Sequence, residues 1–407
     1  MCSIKFSVTN FIEVSPVVEN SIGWVLELFH GPTFAFKDIA LQFLGNLFEY
    51  FLSVGSRKQK KMTILVATSG DTGSAAIHGM SGKKNIDTFV MFPQGKVSLV
   101  QELQMTTVID RHVHCISLQG DFDDAQSLVK AAFSDSDFRE SVNLGAVNSI
   151  NIARIIAQIS YYFYSWLAVT DAMIEKDQEP IALSYAVPTG NFGDILAGYY
   201  AKRMGLPIDK LIICANKNDV LHRFLQTGVY QRQTTSESLA PSMDISVSSN
   251  FERYLYHLCG DDSAMLRQWM QQFETTGTLQ VPEDLLRQAQ SDFLSYSCDD
   301  GQILSTIQEV YQATQYLICP HTATAFAAAK NLQLPTHSTV LLATAHPMKF
   351  EDTVRRALSV SQIYDIALIS PPELSALHSM SRRSILLPND VEVIKSFVRY
   401  NVNNDNI

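Results

Sequence analysis

Hydrophobic and polar positions along the chain form blocks that predict strands followed by helices. Apolar runs occur at residues 63–68 (TILVAT), 181–187 (IALSYAV), 211–215 (LIICA) and 340–345 (VLLATA). Short continuous runs of this kind are typical of parallel strands that helices cover on both faces. A glycine-containing turn and a segment of helical period follow the first two runs. The pattern therefore predicts an α/β architecture with right-handed crossovers.

The segment that begins at Lys37 predicts an amphipathic helix. Apolar side chains recur there at helical spacing, at Ile39, Phe43, Leu44, Leu47, Phe48 and Phe51. Lys37 would thus stand at the start of a helix whose backbone is fixed by packing. By contrast, residues 227–249 are rich in Gln, Ser and Thr, and this composition predicts a long loop.

Length and composition indicate a globular protein with an ample core. The chain has 407 residues, which suits two or three domains, and 46% of them are apolar against 18% charged. The formal net charge is −10, which argues against a nucleic acid or an anionic membrane as the main partner. It does not exclude a small anionic substrate, because a local basic pocket can exist on an acidic protein.

The sequence also predicts a soluble, cytoplasmic protein. Residues 1–20 lack the apolar stretch of a signal peptide. The most apolar window, residues 150–169, contains Asn151, Arg154 and Gln158, so it predicts a buried helix rather than a membrane span. The six cysteines are scattered without a C-x-x-C pair, which is typical of free thiols in a reducing compartment.

Two glycine-containing turns are candidate anion sites. Residues 190–193 (GNFG) lie between a predicted strand and a predicted helix, where backbone N–H groups and the helix dipole favour a phosphate. Residues 69–73 (SGDTG) repeat the plan and could hold a second anion or a carboxylate. Asp194 would have to point away from a phosphate, and it could then cap the helix. A plain strand-to-helix turn remains the alternative, because short glycine motifs are weak signals.

Lys37 is the candidate nucleophile, and two histidines are a weak candidate metal site. A desolvated lysine loses its charge more readily and becomes the amine that Schiff-base chemistry requires. The alternative is a surface lysine paired with its neighbour Asp38. His112 and His114 alternate like the first two ligands of a metal, but no third ligand follows at a convincing spacing, so we expect no metal.

Six segments resemble motifs of the threonine synthases, members of the fold type II enzymes that use pyridoxal 5′-phosphate (PLP). In chain order they are HGPTFAFKD (30–38), ATSGDTGSAA (67–76), PQGKVSLVQELQMTTV (93–108), NSINIARI (148–155), VPTGNFGDILAGYYAKRMGLP (187–207) and TAHPMKF (344–350). The sequences of these segments, notably GNFGD and MTTV, are most similar to the fungal and bacterial branch of the family. The resemblance implies two open, twisted, mostly parallel sheets with flanking helices, and a cofactor in the cleft between domains. A large domain would comprise residues 1–60 and 166–407, and a smaller one residues 61–165.

The resemblance assigns roles to matching residues. Lys37 would hold PLP as a Schiff base and move protons at the substrate. The cofactor phosphate would bind Gly190, Asn191, Phe192 and Gly193, its ring nitrogen would bind Thr344, and Asp71 would lie near its 3′-oxygen. Substrate would be bound by Ser69 and Thr72 at its carboxylate and by Asn148, Ser149 and Arg154 at its phosphate, with Lys96 as an additional cation.

The implied activity is that of a carbon–oxygen lyase which converts O-phospho-L-homoserine and water into L-threonine and phosphate. Relative to the family, the sequence lacks an N-terminal segment. Two alternatives therefore stay open: a threonine synthase-like phospho-lyase that releases 2-oxobutyrate, and a truncated relative without activity. We expect the protein to be a monomer or a homodimer.

Overall fold

A computed structural model describes residues 17–20, 23–54, 61–358 and 370–404. Its strands are β1 (Val17–Asn20), β2 (Gly23–Glu27), β3 (Met62–Ala67), β4 (Ile86–Pro93), β5 (Val113–Leu118), β6 (Leu144–Gly145), β7 (Leu183–Pro188), β8 (Ile208–Ala215), β9 (Val229–Gln231), β10 (Thr278–Gln280), β11 (Phe293–Ser297), β12 (Thr339–Ala343) and β13 (Ile385–Leu387).

Helices connect most of these strands. The α-helices are α1 (Lys37–Val54), α2 (Asp71–Met80), α3 (Leu99–Thr106), α4 (Phe122–Ser134), α5 (Ser136–Ser141), α6 (Ile152–Ile174), α7 (Gly193–Arg203), α8 (Val220–Thr227), α9 (Phe251–Leu258), α10 (Ser263–Thr276), α11 (Glu283–Asp292), α12 (Asp300–Thr314), α13 (Pro320–Asn331), α14 (Glu351–Ala357), α15 (Pro372–Ala376) and α16 (Val391–Asn404). Short 3-10 turns occur at Pro241–Met243, Thr336–Ser338, Pro347–Phe350 and Leu377–Ser379. Among the helices described, none is long and apolar enough to cross a membrane.

Residue contacts divide the chain into two compact units. The first takes its described residues from Met1–Phe36, Gln158–Pro347 and Asp352–Leu358. The second takes them from Lys37–Ala157, Met348–Glu351 and Ser359–Ile407. These bounds differ from residues 60 and 165, where the sequence predicts the domain boundaries, and that domain division stays a prediction.

The first unit is built on a six-stranded sheet in the order β1-β2-β12-β7-β8-β11. All neighbouring strands pair in parallel except the edge strand β1, which is antiparallel to β2. Every residue of β7 is buried, which explains why its sequence is a continuous apolar run. The strands predicted at 181–187, 211–215 and 340–345 correspond to β7, β8 and β12.

The second unit is built on a parallel five-stranded sheet in the order β13-β5-β4-β3-β6. Successive side chains of a strand point to opposite faces, and each face has its own core. Ile64 and Val66 of β3 pack with residues of α1 and α2, such as Leu44 and Ile77. Leu65 packs on the other face with residues of α4 and α16. The predicted α/β fold with two mostly parallel sheets is confirmed.

One part of the loop prediction for residues 227–249 is wrong. Residues 229–231 form β9, which pairs antiparallel with β10. A three-residue strand is too short to leave a period in the sequence. Apart from Thr227, the last residue of α8, the regular structure described in the remainder of the segment is the 3-10 turn Pro241–Met243.

Candidate active site

The first and last of the six motifs meet on the first unit. Ala35 and Ala345 form an isolated antiparallel bridge. The Phe36 N–H donates to the Thr344 carbonyl at 2.9 Å, and the His346 N–H donates to the Phe34 carbonyl at 3.0 Å. These bonds fix the backbone directly before Lys37. They also hold Thr344, which is buried and whose N–H donates to Thr322 Oγ1 at 3.3 Å.

Lys37 is the first residue of α1 and is largely buried, with 14% of its side chain exposed. Its Nζ lies 3.5 Å from Oδ2 of Asp71, and Asp71 is the first residue of α2. The neighbouring Asp38 is itself only 1% exposed. One interpretation of the sequence made Lys37 a surface lysine, and this is wrong. Its side chain forms an ion pair with a carboxylate from another helix.

Asp71 is shared between two lysines and a glutamine. Its Oδ1 lies 3.1 Å from Nζ of Lys349 and accepts a hydrogen bond from Gln101 Nε2 at 2.9 Å. Lys349 has no exposed surface, and Asp71 is 3% exposed. These charge-assisted contacts replace the hydration that the carboxylate loses on burial.

The pKa of Lys37 is lowered from its usual value. Burial is the largest cause, because it removes water from the ammonium form. The negative charge of Asp71 raises the pKa, and the positive charges of Arg154 and Lys349 lower it again. The net lowering makes the uncharged amine, which is the nucleophilic form, easier to reach than in an exposed lysine.

The turn that carries Asp71 is shaped around Gly70. Its φ of +127° is a conformation that side chains rarely adopt, and a Cβ there would lie 2.3 Å from Gln101 Cδ. Thr68 Oγ1 accepts hydrogen bonds from the N–H groups of Gly70 at 2.9 Å and Gly73 at 2.8 Å. Ser69 and Thr72 are partly buried in this turn, and their hydroxyls form no hydrogen bond with any residue described. They remain available to a ligand.

The Gly190–Gly193 turn, on the first unit, has its carbonyl groups occupied and its N–H groups available. Ser248 Oγ donates to the Gly190 carbonyl at 2.8 Å, and Asn250 Nδ2 donates to the Asn191 carbonyl at 2.9 Å. Within the described residues, the N–H groups of the four turn residues donate to no partner. Such a run of unpaired N–H groups at the start of a helix is a favourable site for an anion.

Phe192 holds this turn in place. It adopts a left-handed conformation, with φ of 59°, directly before α7. Its ring is 1% exposed and lies 5.3 Å from the ring of Phe251 and 5.6 Å from that of Phe293. Aromatic packing therefore offsets the cost of the unusual backbone angles.

Asp194 directs its carboxylate into the core. Oδ1 accepts hydrogen bonds from the hydroxyls of Tyr161 at 2.5 Å and Tyr162 at 2.8 Å. Burial and the charge of Asp194 raise the pKa of Tyr162 well above its usual value. Asp194 does not cap α7, because the residue before the helix is Phe192 and no side chain caps it.

The four residues assigned to the substrate phosphate all lie on the second unit. Arg154, in the first turn of α6, is 3% exposed, and its Nη1 donates to the Val147 carbonyl at 3.1 Å. Asn148 is exposed and Ser149 partly buried, in the turn before that helix. Lys96 is exposed in the turn after β4. Of the four, Arg154 is the one whose charge acts on Lys37.

His112 and His114 each contact another side chain of the second unit. His112 Nδ1 lies 2.8 Å from Asp87 Oδ1, and the His114 ring stacks on Phe89 at 4.4 Å. Five cysteines, Cys115, Cys214, Cys259, Cys298 and Cys319, have free thiols. The sixth, Cys2, lies outside the described residues.

Sequence reasoning missed several residues of these sites. Lys349, Gln101, Ser248 and Asn250 reach them from positions that are distant along the chain. One feature of the sequence could have indicated a buried lysine at this position: Lys349 lies between two apolar residues, Met348 and Phe350. Nothing in the serine-rich segment around Ser248 marks it as the partner of a turn 58 residues earlier.

Comparisons with known proteins agree with this arrangement. Residues 15–279 match the family described as pyridoxal-phosphate dependent enzyme, and residues 322–398 match threonine synthase, C-terminal. The threonine synthase of Saccharomyces cerevisiae is 44% identical over an alignment of 416 positions, which covers 95% of this chain and 80% of that protein.

Two solved structures are similar over the same extent. The crystal structure of threonine synthase from yeast has a TM-score of 0.89 at 42% identity, covering 96% of this chain and 81% of that one. PLP-bound threonine synthase from Brucella melitensis has a TM-score of 0.87 at 41% identity, covering 95% and 80%. Fold and similarity together define a PLP-dependent enzyme of fold type II. Within that class, the chain belongs to the threonine synthase family.

Proposed function

We propose that this chain catalyses the conversion of O-phospho-L-homoserine and water into L-threonine and phosphate, with PLP as cofactor. The observation that carries the proposal is the state of Lys37. It lies in the segment that resembles the family's cofactor-lysine motif, it is largely buried, and its pKa is lowered from the usual value.

The residues present fit the cofactor. The unpaired N–H groups of Gly190–Gly193 suit the oxygens of a phosphate, and a Cβ on Gly190 would lie 3.2 Å from Met243 Cα, so the turn favours glycine. The Thr344 hydroxyl would bind the ring nitrogen, the uncharged Nζ of Lys37 would hold the aldehyde carbon, and Asp71 would lie near the ring oxygen. When bound, the cofactor supplies an electron sink for carbanions at the substrate.

Substrate binding divides between two groups of side chains. The hydroxyls of Ser69 and Thr72 would bind the carboxylate at the amino-acid end. Asn148, Ser149 and Arg154 would bind the γ-phosphate, with Lys96 as a further cation, because a planar fork of N–H donors suits a phosphate dianion. The buried Arg154 would supply the largest share, since electrostatic attraction is strongest away from water.

Lys37 Nζ would move the protons. It would remove a proton from the α carbon and then one from the β carbon, after which the bond from the γ carbon to the phosphate oxygen breaks. A proton would then be delivered to the γ carbon, water would add its hydroxyl at the β carbon and give its remaining proton to the released phosphate, and a proton would return to the α carbon. One amine of lowered pKa suits repeated transfers, because it gives up and regains a proton more readily than an exposed lysine does.

Product analysis tests the proposal. The PLP-loaded chain, incubated with O-phospho-L-homoserine, should release threonine and phosphate in equal amounts. The variant Lys37→Ala should release neither, whereas Lys395→Met, which removes a lysine paired with Asp135, should behave as the wild type. Release of 2-oxobutyrate and phosphate would instead identify a phospho-lyase, and no turnover by a PLP-loaded chain would indicate an inactive relative.

We further propose a cytoplasmic location and a monomer or homodimer that binds neither nucleic acid nor membrane. The net charge of −10 and the scattered cysteines support this proposal. Cell fractionation and the mass of the purified chain in solution test it. Recovery of the chain with membranes, or a larger assembly, would contradict it.

A further inference from the structure

We propose that Lys349 is a positioning residue for this reaction: it occupies the Asp71 carboxylate, so that Lys37 remains available as an uncharged amine. The inference rests on the proposed function, because it concerns the lysine that holds the cofactor. Lys349 lies in the sixth motif, but the resemblance assigns it no role.

Lys349 is placed to act on Asp71. Its side chain has no exposed surface, and its Nζ lies 3.1 Å from Oδ1 of Asp71. Lys37 lies on the other carboxylate oxygen, at 3.5 Å from Oδ2. The shorter distance belongs to Lys349, so this lysine is the stronger partner of the shared carboxylate.

The backbone of Lys349 is fixed as well as its ammonium group. Ser98 Oγ donates to the Lys349 carbonyl at 3.1 Å. Ser98 also forms a capping box with Gln101 at the start of α3, and Gln101 Nε2 donates to Asp71 Oδ1. Ser98, Gln101, Asp71 and Lys349 thus form a closed ring of contacts. Such a ring limits the positions that both the carboxylate and the second ammonium group can take.

The balance of charges around Lys37 depends on Lys349. One anion, Asp71, favours the ammonium form of Lys37, and two cations, Arg154 and Lys349, oppose it. His78 of α2 is a further titratable group near Lys349, whose positive charge helps to lower the pKa of that imidazole, after burial as the largest cause. Without Lys349, the negative charge of Asp71 would be opposed by one cation fewer. The pKa of Lys37 would then rise, and its ammonium form would be favoured. A protonated amine cannot attack the aldehyde carbon of the cofactor.

The pH dependence of cofactor uptake tests the proposal. The chain freed of cofactor is mixed with PLP, and the rate at which the visible absorption band appears is followed from about pH 6 to pH 10, below the usual lysine pKa of about 10.4. In Lys349→Met we expect the midpoint of the rate profile to rise by about one pH unit, or about tenfold slower uptake below both midpoints. Lys349→Arg should keep the wild-type midpoint.

Asp71→Asn tests the same balance from the other side. Removing the anion should move the midpoint below that of the wild type, and in the double variant Asp71→Asn/Lys349→Met it should reverse the upward shift. These two variants decide the question even if Lys349→Met alone does not fold. Lys395→Met is the matched control, because it removes another ion-paired lysine from the same unit and should leave the midpoint unchanged.

A purely structural role for Lys349 would lower the melting temperature without moving the midpoint. An unmoved midpoint in Lys349→Met, or an Asp71→Asn midpoint that does not fall, would overturn the inference alone, provided that the wild type forms the band. A wild-type chain that forms no band with PLP would overturn the proposed function, and the inference with it.

Discussion

Replacing Gly45 by alanine should push apart the two helices that begin at Lys37 and Asp71. Gly45 of α1 faces Gly79 of α2, and a Cβ on Gly45 would lie 2.0 Å from the Gly79 carbonyl oxygen. In the reverse direction, a Cβ on Gly79 would lie 2.6 Å from the Leu41 carbonyl oxygen. Both obstacles are backbone, which cannot rotate away as a side chain can.

The magnitude follows from two opposing effects. Ordinary contact begins at 3.4 Å, so the helices would have to separate locally by more than an ångström. Overpacking of this kind costs about 1–3 kcal/mol, and backbone on the opposing side places it at the upper end. Alanine in place of glycine within a helix regains about 1 kcal/mol. We therefore expect Gly45→Ala to lower the free energy of unfolding by about 2 kcal/mol.

Urea unfolding followed by far-ultraviolet circular dichroism measures this change in the cofactor-free chain. The matched control is Gly301→Ala in α12, where the added Cβ would meet only a side-chain oxygen of Asp299, at 3.2 Å. Its free energy of unfolding should stay within about 1 kcal/mol of the wild type. Equal stability of Gly45→Ala and the wild type, or equal losses in both variants, would refute the close helix contact.

Other substitutions probe the remaining sites. Ser248→Ala removes the hydrogen bond to the Gly190 carbonyl, so equilibrium titration should show PLP binding weakened by about 1 kcal/mol, or about fivefold; unchanged affinity would contradict a role in shaping the turn. Asp194→Asn should lower the free energy of unfolding in urea by about 1–3 kcal/mol, because two tyrosine hydroxyls lose a charged acceptor; a stable variant would contradict this. Cys259 should react with a thiol reagent before Cys115, whose burial raises its pKa to about 12; peptide mapping in which Cys115 reacts first would refute the packing around it.

Local patterns in the sequence were sufficient to predict the strands and the start of α1. The run at residues 63–68 corresponds to β3, and the helical period after Lys37 corresponds to α1. In these places the information lies within a few residues: buried parallel strands are uniformly apolar, and an amphipathic helix repeats its apolar positions. The glycine turn at residues 190–193 was predictable for the same reason.

The charge environment of Lys37 could not be predicted in this way. In the sequence, the adjacent Asp38 is the obvious candidate for an ion pair with Lys37. In the structure, Lys37 pairs with Asp71, which lies on another helix. The contact between Ser98 and Lys349 joins positions 251 residues apart, and no pattern in the chain encodes it. Long-range contacts of this kind arise only when the sheets and helices are assembled.

Reduction of the PLP-loaded chain with borohydride, followed by mass mapping of the modified peptide, tests the central claim most directly. Two lysines share the Asp71 carboxylate, and only one of them can be the lysine that holds the cofactor. The account predicts that the cofactor is fixed on Lys37 and that Lys349 is unmodified. Modification of Lys349, or of a lysine outside this cluster, would contradict it.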